Sequence, residues 1–254
     1  MQMNGNTILI TGGGSGIGRA LAEAFLAEGN QVVIVGRRKE LLDEVTAANP
    51  GMRSAVLDIA DGEAIRSFAE RLKRDHPALN VVIHNAGIMR PEAVQDGKVD
   101  DAEATVATNL LGPIRLTVAM LPLLEAQPHA TIMTVSSGLA FVPRADFPTY
   151  CVTKAAIHSY TQSLRFQLRN TAVQVIELAP PYVQTELTGQ AQADDPNAMR
   201  LQEFITETMS LLKNSPDAAE ICVERVKPLR TAESSGSYDN FFKRFNEMVA
   251  AASH

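Results

Sequence analysis

Tyr150 and Lys154 stand four residues apart in Tyr150-Cys151-Val152-Thr153-Lys154. On a helix that spacing puts both side chains on one face, with Cβ atoms about 5–6 Å apart. Bringing a tyrosine from about 10 to near 7 takes about 4 kcal/mol. A unit charge at about 4 Å and an effective dielectric of about 20 supplies a similar amount. The pair can therefore make a phenol work as an acid/base near neutrality, although a packed ring beside a surface lysine has the same spacing. Ser137, thirteen positions earlier, places a hydroxyl at the end of an apolar run. Cys151 has no base paired with it in the sequence and reads as small helix packing rather than as a nucleophile.

A second chemistry is written near the start of the chain, in Thr11-Gly12-Gly13-Gly14-Ser15-Gly16-Ile17-Gly18. Glycines suit a strand that turns sharply and brings its backbone against a pyrophosphate, and a helix opening at about Gly16 offers free N–H groups and its positive dipole end. The Gly12, Gly16, Gly18 spacing departs from the common Gly-x-Gly-x-x-Gly fingerprint, so the loop reads as a dinucleotide cradle only in its strand-to-helix setting. The segment that selects the dinucleotide is Val35-Gly36-Arg37-Arg38-Lys39, where no carboxylate precedes Glu40. A carboxylate there would accept from a ribose diol, whereas guanidinium forks suit a 2′-phosphate. Arg37 and Arg38 thus point to NADP(H), the alternative being that they decorate the start of a solvated helix.

The elements that must position these groups alternate along the chain. Apolar, β-rich runs at 7–10, 31–35, 53–57, 80–84, 131–135 and 173–178 predict six strands. Between them lie helical patterns, such as Ile17, Leu21, Ala24 and Phe25 ahead of Gly29, or Ile65, Phe68, Ala69 and Leu72. Such alternation predicts an α/β fold, a doubly wound parallel sheet with right-handed crossovers, and a ligand outside the carboxyl ends of the strands. One domain over 1–254 is expected, with a substrate lid at about 186–215 formed by a polar loop, 193–197, and an amphipathic helix carrying Leu201, Phe204, Ile205, Thr208, Met209 and Leu212. That helix reads equally as an ordinary cover for the core. Leu139, Phe141, Val142, Pro143 and Phe147 would form the opposite, apolar wall, with Arg144 solvated rather than clamping a substrate carboxylate.

Composition bounds the function. The chain has 254 residues, 45% of them hydrophobic and 20% charged, enough to bury a large core, and its net charge of -6 with scattered basic residues argues against nucleic acid or an anionic membrane as partner. Two cysteines and the lack of a basic leader followed by a long apolar segment point to a reducing, cytoplasmic setting. No metal site is expected.

Taken together, the glycine loop, Asp58, Asn85-Ala86-Gly87, Asn109, Ser137, Tyr150 and Lys154 resemble, in order and spacing from 7 to about 185, the short-chain dehydrogenase/reductase family in its compact branch. That resemblance implies Tyr150 as proton donor in reduction, Ser137 holding the carbonyl oxygen, Lys154 on the nicotinamide ribose and Asn109 fixing a relay water. It also implies a cofactor surface of Gly12, Gly14, Ser15, Gly16, Ile17, Gly18, Asp58, Ile59, Asn85, Ala86, Gly87, Val183 and Thr185, with Asp58 meeting the adenine amino group. His84 reads as structural. Two departures stand out. Pro181 occupies the usual glycine position in Pro180-Pro181-Tyr182-Val183-Gln184-Thr185, and the family's glycine-rich seventh strand is not legible, a final helix from 238 to about 251 standing in its place. The expectation is therefore six strands with the seventh missing, the last helix covering the open sheet edge, and a homodimer through the long helices around the fifth strand, where Ala155, Ala156, Ser159 and Ser163 permit close approach. The reading is an NADP(H)-dependent oxidoreductase acting on a carbonyl or secondary alcohol of an apolar small molecule. Its alternatives are a non-catalytic NADP(H)-sensing or scaffold protein on the same fold and an epimerase or dehydratase.

Overall fold

A computed structural model describes residues 1–252. Seven parallel strands, β1 (Thr7–Thr11), β2 (Gln31–Gly36), β3 (Arg53–Val56), β4 (Leu79–His84), β5 (Ala130–Val135), β6 (Val173–Leu178) and β7 (Glu220–Ile221), lie in the order β3-β2-β1-β4-β5-β6-β7. Helices α1 (Gly16–Ala27), α2 (Lys39–Ala48) and α3 (Gly62–Asp75) follow the first three strands. After β4, α4 (Asp100–Val106) runs through a π-helical turn (Ala107–Leu111) into α5 (Gly112–Glu125). Then come α6 (Pro148–Gln167), α7 (Gln190–Asp194), α8 (Leu201–Asn214), α9 (Lys227–Arg230) and α10 (Tyr238–Ala252).

Side chains alternate across the strands and divide the core in two. Ile8, Ile10, Val32, Ile34, Val81, Ile83, Met133 and Ile176 face one layer with Leu21 and Phe25 of α1 and Phe204 and Leu212 of α8. Leu9, Val33, Val82, Ile132 and Val175 face the other, with Phe68 of α3, Leu116 and Met120 of α5 and Leu164 of α6. Such two-sided burial is why the strands read as continuous apolar runs. The stretch Asp100–Glu125 is long and apolar enough by composition to cross a membrane; here Leu116, Met120 and Leu124 are wholly buried in the second layer.

The expectation of a missing seventh strand is wrong. β7 pairs with β6 in register Glu177↔Glu220 and Leu178↔Ile221, and Glu177 N and Ala179 N donate to the Ala219 and Ile221 carbonyls. Two residues leave no apolar run for a sequence pattern to register. With that edge paired, α10 does not cover it: Asn246 accepts from Ala145 N at 2.7 Å and donates to the Pro143 carbonyl at 3.1 Å, pinning the helix to the segment before α6. In α8, Phe204, Ile205 and Leu212 belong to the core beside α1, so the amphipathic pattern served packing.

At the β1–α1 junction Gly12 has φ +69°, a conformation that L side chains rarely adopt. A Cβ on Gly18 would come within 2.3 Å of the Gly12 carbonyl oxygen, which is how closely α1 sits on the loop.

His84 ends β4 wholly buried, its Nε2 2.9 Å from Thr117 Oγ1 on α5 and its Nδ1 without a partner among the described residues. Burial lowers its pKa to about 4 from 6.5. The unfolded chain therefore takes up a proton near 6.5 that the folded one refuses until about 4. Stability from this residue is full above the higher value and drains as pH falls through the window. Urea titrations should show the native protein losing about 2 kcal/mol more than His84→Asn between about pH 7 and about pH 5. Parallel curves would mean that His84 can be protonated in place.

Candidate active site

The loops at the carboxyl ends of the strands enclose a cleft of about 430 Å³. Gly12 and Gly14 to Ile17 of the glycine loop, Gly36 to Arg38, Asp58 and Ile59, Asn85 to Arg90, Ser136 and Ser137, Tyr150, Lys154, and Pro180, Pro181, Val183, Thr185, Leu187 and Gln192 after β6 all contribute to its lining. It has two chemically different ends.

One end is the glycine loop. Ser15 is the N-cap of α1, yet its side chain makes no capping bond, so the first N–H groups of a twelve-residue helix are left for another acceptor. Arg38 Nη2 donates to Ser15 Oγ at 3.1 Å, which carries a guanidinium from the end of β2 to the rim of the same loop. Arg37, Arg38 and Asp58 are exposed at that rim. Behind the loop, Thr11 Oγ1 accepts from the backbone N–H groups of Asn85 and Ala86, both at 3.0 Å, and Asn85 Nδ2 donates to the Thr11 carbonyl at 3.0 Å. Strands β1 and β4 are thereby locked at their ends, and the loops carrying Gly12 and Gly87 are held side by side. Donor groups, glycine backbone and guanidinium together fit a dinucleotide with its phosphates on α1.

The other end holds Tyr150, Lys154 and Ser137. Tyr150 and Lys154 lie on α6, and Ser137 follows β5. The ammonium of Lys154 is buried, donates to the Val135 carbonyl at 2.8 Å and stands 5.5 Å from the centre of the Tyr150 ring. Burial lowers the Lys154 pKa to about 8, against which the Glu177 charge works upward. Burial raises that of Tyr150, only partly offset by its hydrogen bond with Ser137. The phenol thus rests protonated. Helical spacing fixes the distance between the pair and carries no information on the desolvation of either partner.

Asn109 sits in the π-helical turn, where its amide clamps the Ile88 backbone, accepting from the N–H and donating to the carbonyl, both at 2.8 Å, with Thr153 Oγ1 at 3.3 Å. A Cβ on Gly87 would meet Asn109 Oδ1 at 3.3 Å and Lys154 Nζ at 3.8 Å, so these groups converge. Val183 and Thr185 are placed by Gln192, a buried residue the sequence did not single out. Its Nε2 donates to the Val183 carbonyl and Thr185 Oγ1, and its Oε1 accepts from Thr188. A lone glutamine in a polar loop gives no sequence signal for such a role. Pro181 lines the cleft, and the Pro180 carbonyl accepts from Gly138 N at 2.8 Å, tying this step to the loop after β5.

Of the expected apolar wall, Leu139 and Phe147 cluster with Tyr150, Cys151 and Met89. Val142 is wholly buried, and Phe141 packs on His158 and under the Arg230 guanidinium, away from that cluster. Arg144 is paired with Asp146 at 3.0 and 2.5 Å.

The short chain dehydrogenase family matches residues 6–196. The chain is 39% identical to the uncharacterized oxidoreductase DltE of Bacillus subtilis (strain 168), over 97% of this chain and 98% of that one. A short chain dehydrogenase from Burkholderia cenocepacia J2315 in complex with NADP superposes with a TM-score of 0.78 at 25% identity, over 92% and 94% of the two chains. A family member from Burkholderia phymatum in complex with NAD has the same fold, with a TM-score of 0.80 at 20% identity over 92% and 95%. With its parallel sheet and a cleft at the strand ends, the chain belongs to the short-chain dehydrogenase/reductase family of oxidoreductases.

Proposed function

We propose that this protein moves a hydride between NADP(H) and a carbonyl or secondary alcohol of an apolar small molecule, with Tyr150 as acid/base, in a cytoplasmic setting. The observation that carries this reading is the burial of Tyr150, Lys154 and Ser137 as one contact set opening into the cleft that begins at the glycine loop. NADPH, when bound, supplies the hydride. In reduction Tyr150 gives its proton to the carbonyl oxygen, Ser137 Oγ holds that oxygen, and Lys154 stabilises the phenolate left behind. Asn109 keeps Ile88 and Gly87 in place beside them. Leu187 and Met89 give the substrate end apolar lining. The phosphate preference is supported by Arg37 and Arg38 at the rim and by the absence of a carboxylate before Glu40. Two free cysteines agree with a reducing compartment.

The same reading includes a two-fold dimer. Val152, Ala155, Ser159, Ser163 and Phe166 form an exposed stripe down α6, and Leu111 and Val118 are exposed at the start and middle of α5. With β7 present, the case rests on this face alone.

Tyr150→Phe should cut turnover about 10²–10⁴-fold on a panel of aldehydes and ketones followed by NADPH absorbance, with NADPH binding nearly unchanged. Retained turnover would remove the mechanism and favour the sensing alternative. Lys154→Met should impair both steps. Replacing Arg37 and Arg38 by Ala should weaken NADPH about tenfold or more relative to NADH in fluorescence titrations, with added salt reproducing part of the loss; equal losses for both cofactors would return the arginines to a solvated helix start. Light scattering at micromolar concentration should give a dimer that Phe166→Glu dissociates. A monomeric native protein contradicts the interface.

A further inference from the structure

Glu177 is a carboxylate near the carboxyl end of β6 with no exposed surface. A buried charge persists only where partners replace its water. Both oxygens have one: Oε1 accepts from Ser136 Oγ at 2.5 Å, and Oε2 lies 2.7 Å from His158 Nδ1. The other imidazole nitrogen, Nε2, is 2.9 Å from the amide nitrogen of Gln162. Ser136 Oγ and His158 Nδ1 thus each satisfy one oxygen of the carboxylate, and the Gln162 amide meets the far side of the imidazole.

Its position gives that charge a use. Ser136 stands between Val135, whose carbonyl receives the Lys154 ammonium, and Ser137, whose hydroxyl faces the phenol. His158 lies one turn beyond Lys154 on α6. One carboxylate therefore grips both the strand end and the helix that carry the acid/base set. We propose that Glu177, held by Ser136 and His158, is a positioning residue that keeps the Lys154 ammonium charged and seated beneath Tyr150.

The other charged groups beside this carboxylate, Glu220, Arg230 and Arg165, are engaged with partners of their own. Glu220 on β7 is taken by Arg230 through Nε at 2.8 Å and Nη2 at 3.1 Å. The Arg165 guanidinium is spent on the Val175 and Ala219 carbonyls. The Cys222 thiol, pushed up to about 11 by burial, is neutral, and so is Tyr150. Although His158, Glu177 and Glu220 have ligand atoms within 4.8 Å of one another, Arg230 on Glu220 and two hydrogen bonds on Glu177 already occupy their oxygens, so the cluster fits electrostatic support better than an ion. The direction agrees: burial lowers the Lys154 pKa, and the Glu177 charge works upward against it.

The inference rests on the acid/base reading of Tyr150 and Lys154, but its test does not need turnover. Lysine side chains carrying ¹³C at Cε are followed by NMR across pH, with Lys154→Met identifying the resonance. Glu177→Gln keeps the volume and an acceptor for Ser136 and should lower the Lys154 midpoint by about one pH unit, whereas Glu177→Asp should leave it near the native value. Should Glu177→Gln fail to fold, the double variant Glu177→Leu with His158→Leu removes both partners together, which spares the fold an orphaned group, and should show the same drop. An unchanged midpoint in a folded variant lacking the carboxylate overturns the proposal, and failure of the Tyr150→Phe assay leaves this measurement standing on its own.

Discussion

The ammonium of Lys154 has almost no water around it, and its hydrogen bond to the Val135 carbonyl fixes where α6 sits on the end of β5. Everything at the reactive end of the cleft is referred to that contact. It sets the height of Tyr150 one turn earlier on the helix, and Ser137, two residues beyond Val135, is brought to the phenol as a consequence. Removing the ammonium from water is costly, and the cost is offset by the Val135 carbonyl and by the buried Glu177 carboxylate. The same burial that weakens the lysine's hold on its proton strengthens the tyrosine's. The resting state is a protonated phenol next to the lysine ammonium, the arrangement that the proposed proton transfer requires.

The other end of the cleft depends on a different constraint, the close approach of β1 and β4 at their ends. Thr11 makes three hydrogen bonds there, two with Asn85 and one with Ala86, and the glycine loop must pass under them without side chains in the way. The bare start of α1, the guanidinium of Arg38 on Ser15 and the clamp of Asn109 on Ile88 are built outward from that lock. Both ends are made by loops on a sheet buried on both faces, which lets side chains hold their relative places to fractions of an ångström.

Much of this was legible in residue order. Six strand positions, the strand-to-helix glycine loop and the Ser137, Tyr150, Lys154 set follow from apolar runs and from spacing, because those features are local. What escaped is non-local or too short to have a period. β7 has two residues and owes its existence to Glu177 and Leu178 offering a free edge. Gln192 matters through four contacts made only after the chain folds back, and Asn246 through a segment a hundred residues away. The helix at 201–214 was ambiguous for a physical reason: an apolar face packs on a core or on a ligand with the same periodicity. The burial of Tyr150 was not legible because a helix wheel gives distance and says nothing of desolvation.

The central claim is that burial holds the Tyr150 phenol protonated and that Lys154 with the cofactor's positive charge brings it into the working range. Phenolate ultraviolet absorbance, taken as the difference between the native protein and Tyr150→Phe across pH, measures this directly. The account predicts a Tyr150 titration far above neutrality in the free protein and a fall of about two pH units or more with NADP⁺ bound. A midpoint that is the same with and without NADP⁺ would contradict it.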